Sequence, residues 1–93
     1  LIADNPSFPF SIEAKHYAKG RGCKKEWWQQ SERAALLSHK MPCVIYKYDR
    51  YEPRAVVSLE AVAKLYGAQD DGEILLDLSL EGFCYLCREL MNG

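Results

Sequence analysis

The sequence predicts an α/β fold: helices flanking a small mixed β-sheet. Two observations carry this. Short runs rich in β-branched and aromatic residues alternate with segments of helical period along the whole chain. The second half also repeats a pattern, in which a short strand leads through a serine, with a glutamate two residues later, into an amphipathic helix. The predicted order is β-β-α-β-β-α-β-α.

Leu1-Ile2-Ala3 reads as a strand, and Asp4-Asn5-Pro6-Ser7 carries the side-chain and proline chemistry of a turn. Phe8 to Tyr17 forms the second arm of that hairpin, and Ala18-Lys19-Gly20-Arg21-Gly22 reads as a mobile basic connection. From Lys24 to His39 the period turns helical, with Trp27, Ala34 or Ala35, and Leu36 or Leu37 as the apolar stripe. Trp27 is assigned to packing, while Trp28 is open to either packing or base stacking. Met41-Pro42 is expected to end the helix, and Cys43 to Tyr48 is a central strand. After a turn over Asp49 to Pro53, the strand from Arg54 leads through Ser58 into a helix closed by Gly67. The strand from Leu75 leads through Ser79 into the helix from Phe83 to Met91.

A chain of 93 residues makes one small domain, 1–93, with a single modest core. The formal net charge of −1 gives no global reason to expect nucleic acid. Basic character is local: Lys15, His16, Lys19, Arg21, Lys24 and Lys25 cluster, whereas Asp70, Asp71, Glu73 and Asp77 gather towards the other end. This asymmetry reads either as a cationic working face or as a solvated loop. Cys84-x-x-Cys87 has no second pair at zinc-ligand spacing, so all four cysteines read as reduced thiols, with Cys43 and Cys84 as core fillers. No apolar run of membrane length and no signal peptide is visible, which leads us to expect no membrane partner and a cytoplasmic, reducing location.

The chemistry concentrates at Ser11-Ile12-Glu13-Ala14-Lys15. Strand side chains alternate faces, so Glu13 and Lys15 project together while Ile12 and Ala14 turn to the core. A carboxylate beside an ammonium suits metal-dependent phosphodiester hydrolysis: the carboxylate ligates a hard cation, and the ammonium holds water or offsets phosphate charge. His16, on the opposite side of the strand, reads as a packing or hydrogen-bonding residue.

The ordered set Asp4, Ile12-Glu13-Ala14-Lys15, Trp27-x-x-Gln30 and Pro42-Cys43-Val44-Ile45-Tyr46-Lys47 resembles the PD-(D/E)XK nuclease superfamily, and most of all its small phage-encoded, Holliday-junction-resolvase-like endonucleases. Residues 1–48 carry the resemblance, and 49–93 form a compatible strand-helix C-terminal part. It implies a restriction-endonuclease-like core, here lacking the N-terminal helix, and an Mg²⁺- or Mn²⁺-dependent deoxyribonuclease of a phage or bacterial host cell. By resemblance, Glu13 and the Ala14 carbonyl are metal ligands, Lys15 is the catalytic lysine and Gln30 supports the site. The first acidic ligand is either Asp4 or a residue upstream of Leu1. Lys47 is carried over as a phosphate contact.

Lys19, Arg21, Lys24 and Lys25 are the candidate DNA-backbone contacts on charge and flexibility. Branched or junction DNA is the substrate the resemblance favours, and symmetric cleavage of paired strands calls for a homodimer. The alternative is a non-catalytic nucleic-acid-binding or assembly module that retains the nuclease fold.

Overall fold

The computed structural model describes residues 7–70 and 72–92. Its elements are β1 (Phe10–Tyr17), α1 (Lys25–Ser38), β2 (Met41–Tyr48), β3 (Arg54–Ser58), α2 (Leu59–Leu65), β4 (Leu75–Ser79) and α3 (Leu80–Asn92). They form one mixed sheet in the order β1-β2-β3-β4, with β1 and β2 parallel and the other neighbours antiparallel. The α/β class and element order therefore hold over the described residues. The expected strand Leu1–Ala3 and the residues Asp4–Pro6 of its turn lie outside them.

Strand alternation in β2 divides the molecule into two faces. Met41, Cys43 and Ile45 point one way, into a core with Phe8, Phe10, Ala55, Val57 and the α2 and α3 residues Ala61, Phe83, Leu86 and Cys87. Val44, Tyr46 and Tyr48 point the other way, where α1 covers them with Trp27 and Trp28. Because β2 is buried on both sides, it reads as an almost unbroken apolar run.

Helix α1 lies close to the sheet because two small residues face it. Its buried positions are Trp27, Trp28, Ser31 and Ala35, and the Ser31 hydroxyl donates to the Cys43 carbonyl at 3.2 Å. This corrects the expected stripe, since Leu36 and Leu37 are 77% and 86% exposed. Trp28 is buried, so it is not available to stack on a base. The helix ends at His39, in the left-handed region with φ 56°, and its amide turns back to Leu36 and Ala35. Pro42 does not end the helix but lies near the start of β2. The preceding amide, Met41 N, bonds the Pro9 carbonyl, so Pro42 turns its missing donor away from β1, and pairing with β3 begins only at Val44.

The repeated serines diverge. Ser79 Oγ accepts from the Gly82 amide at 3.0 Å, whereas buried Ser58 makes no capping bond. Tyr66 ends α2, followed by Gly67 at φ +69°. All four cysteines are free thiols, and Cys87 is the buried member of its pair while Cys84 is only partly covered, the reverse of the expectation that Cys84 fills the core. Among the described residues no helix is long and apolar enough to cross a membrane.

Candidate active site

Strand β1 is an outer strand of the sheet among the described residues. Its residues Ile12 and Glu13 are half-buried, Ile12 against the α2/α3 core and Glu13 on the α1 side. Ala14 is exposed rather than core-facing, because cover on the α2/α3 side runs out before the strand ends. Lys15 rises on the α1 side and its Nζ donates to Gln30 Oε1 at 3.1 Å. The parallel crossover makes this meeting possible: α1 runs back over β1, and Tyr17 stacks on Trp27 with ring centroids 5.2 Å apart. Gln30, one turn further along, then falls above Lys15. A neutral amide partner fixes the ammonium while leaving its full positive charge for a ligand.

The backbone of β1 is also directional. Pro9 O accepts from Met41 N and Tyr17 O from Asp49 N, so the odd-numbered carbonyls between them face β2. By the same alternation the Ala14 carbonyl faces the open side of β1. The Glu13 carboxylate has no hydrogen bond or ion pair among the described residues.

These groups supply one carboxylate and one carbonyl towards a cation. A hard divalent ion takes about six or more oxygens, and among the described residues no group of three or more His, Cys, Asp or Glu side chains is placed to hold one. Asp77 lies in the same cross-sheet row as Glu13, through Val44 and Val56. Three strand spacings put the two carboxylates ~14 Å apart, too far to share an ion. Asp4 lies outside the described residues.

The basic residues separate into distinct environments. Lys24 sits at the N-cap of α1 with its ammonium 5.6 Å from both the Tyr17 and Trp27 ring centroids. Lys19, Arg21 and Lys25 are exposed. The loop bearing them is anchored rather than loose: Tyr48 OH donates to the Gly22 carbonyl at 2.8 Å, and any side chain at Gly20 would collide with the Tyr48 ring. Lys47 alternates with Tyr46 and Tyr48, so it projects from the face opposite Glu13 and Lys15. His16 also leaves that opposite face and pairs with Asp49, Nε2 to Oδ1 at 2.9 Å, both groups well exposed.

Sequence reasoning missed one polar cluster. Arg54 Nε donates to Asp77 Oδ1 at 2.7 Å, and Tyr46 OH donates to Asp77 Oδ2 at 2.5 Å. Burial, reinforced by that bond, holds the Tyr46 hydroxyl well above the usual phenol range. Burial, with Asp77 as the second cause, raises the Cys23 thiol. The available signal was Asp77 itself, a charge at an alternating position within the apolar strand Leu75–Ser79.

A family model described as phage putative PDDEXK endonuclease matches residues 1–79. No curated protein and no solved structure matches the chain at a significant level.

Proposed function

Because the chain belongs to this phage PDDEXK endonuclease family, we propose that it is a divalent-metal-dependent endonuclease that hydrolyses DNA phosphodiester bonds, with Glu13, Lys15 and Gln30 at the reacting phosphate. The observation that carries this reading is the Lys15–Gln30 hydrogen bond on the face that also presents Glu13. Glu13 and the outward Ala14 carbonyl are the ligands this strand offers, and Asp4 is the candidate for the second carboxylate. When bound, Mg²⁺ or Mn²⁺ supplies Lewis acidity towards the phosphate and acidifies a water. Lys15 donates either to that water, orienting it for in-line attack, or to a non-bridging oxygen as negative charge develops. Gln30 keeps the ammonium in place without neutralising it.

Lys19, Arg21 and Lys25 receive the DNA backbone on the exposed side of the β1–α1 connection. Branched or four-way-junction DNA is the preferred substrate in this proposal, cut by a homodimer whose two sites address paired strands.

The presence of a single described carboxylate at β1 supports a second reading, a DNA-binding module without catalysis. Incubating linear, flapped and four-way-junction DNA with the protein and Mg²⁺ separates the two. Cleavage that is lost in Glu13→Ala and Lys15→Ala supports the nuclease. Binding without cleavage in every form supports the module, and cleavage surviving both substitutions sinks the site as drawn. Asp4→Asn tests the second carboxylate in the same assay.

A further inference from the structure

Beside the candidate active site lies a cavity that phosphodiester hydrolysis does not use. It has a volume of about 420 Å³, near the lower end of the ~300–1,000 Å³ typical of small-molecule sites. Tyr46 and Tyr48 wall it from β2, the Gly20–Gly22 loop closes one side, and Tyr51 and Glu52 stand at another. The hydroxyls of Tyr46 and Tyr48 are already committed to Asp77 and to the Gly22 carbonyl and their rings are buried, so these two residues form a closed apolar floor rather than a stacking face. Tyr51 is 69% exposed and carries a ring free to stack. Arg21 and Glu52 also line the cavity, and neither has a hydrogen bond or ion pair among the described residues.

We propose that this cavity receives one unpaired, amino-bearing nucleobase, cytosine above thymine, from a DNA strand whose backbone follows the basic loop. The exposed Tyr51 ring takes the flat face of a base above that apolar floor, and base-aromatic stacking is sequence-tolerant. Glu52 adds a choice, since a carboxylate accepts from the cytosine amino group and repels the thymine carbonyl oxygen. Arg21 places a guanidinium where the flanking phosphate passes. Position supports the pairing of functions: Lys15 is in register with Tyr46 and Tyr17 with Tyr48 on adjacent strands, one strand spacing apart. A base held here sits close to the phosphate held at Lys15, on the far side of the Tyr17–Trp27 stack.

The proposal rests on the nuclease reading for the presence of DNA, so binding and cleavage are measured separately. Fluorescence anisotropy in EDTA compares a duplex carrying one bulged cytosine, the same duplex with a bulged thymine, and the fully paired duplex. Wild type should bind the bulged cytosine most tightly. Tyr51→Ala should weaken bulged-DNA binding by at least about fivefold and change paired-duplex binding by less than about twofold. Glu52→Gln should remove the preference for cytosine over thymine. Thermal melts establish that both surface variants are folded. Equal binding of bulged and paired DNA by wild type, equal losses in Tyr51→Ala, or no binding at all overturns the proposal. A bulge preference without Mg²⁺-dependent cleavage keeps the pocket and sinks the nuclease reading, whereas cleavage without bulge preference sinks the pocket alone.

Discussion

The face of the sheet beneath α2 and α3 and the face beneath α1 share the same four strands but are covered differently. On the first, two helices close an apolar core around Phe10, Cys43, Val57 and Phe83. On the second, α1 packs chiefly over β1 and β2 and shares a cluster with Val56 of β3, leaving the β3 and β4 side chains Arg54 and Asp77 part-exposed. Its core is largely aromatic, with Trp27, Tyr46 and Tyr48 tilted together at 6.2 Å or less between centroids. One helix cannot cover four strands, and the polar groups stand where its cover ends: Glu13 and Lys15 on one side, the Arg54–Asp77–Tyr46 cluster on the other. The candidate site therefore belongs to the incompletely covered face, and the other face supplies stability.

Substitutions can break that division. Phe83→Ala should lower unfolding free energy by about 3–5 kcal/mol, because the ring is fully buried and leaves a cavity; a urea titration measures it, and a cost near zero would refute the two-face account. Lys15→Ala should reduce cleavage by about 10²–10³-fold while leaving the melting temperature nearly unchanged, since a preorganised donor at developing charge carries about that much. Tyr46→Phe should cost about 1.5–3 kcal/mol, the range for a hydrogen bond to a charged group, with the cleavage rate on folded protein retained.

Smaller effects sharpen the comparison. Burial on the α2/α3 side, then the neighbouring Cys84, pushes the Cys87 thiol up to about 11 from its ordinary 9.0. The unfolded chain releases this proton first, so the contribution to stability is intact below about pH 9 and is lost as pH rises through 11. Cys87→Ala should flatten that part of the pH-stability curve. His16→Ala should change stability by less than about 1 kcal/mol, because its pairing with Asp49 is solvent-exposed.

Much of the architecture was legible in the residues. Alternation placed Glu13 and Lys15 on one side of a strand, and helical spacing put Trp27 one turn before Gln30 in α1. Local chemistry was less reliable where packing chose among near-equal options. Helix rotation was decided by Ser31 and Ala35, which let α1 approach β2 closely, so two tryptophans were buried and two leucines left exposed. The end of α1 was decided by His39 adopting a left-handed conformation, which no apolar period reveals. Loop composition suggested mobility, but Tyr48 fastens the Gly20–Gly22 segment from a strand distant in sequence.

By itself, then, the sequence determined the alternation of strands and helices, the shared face of Glu13 and Lys15, and the nuclease family resemblance, because each depends on residue type at short spacing. Only the tertiary structure decided that Gln30 meets Lys15, that Lys47 leaves by the opposite face, and that Asp77 is held by Arg54 and Tyr46 across the sheet from Glu13. Those relations depend on strand order and register, which are set by the burial of whole faces.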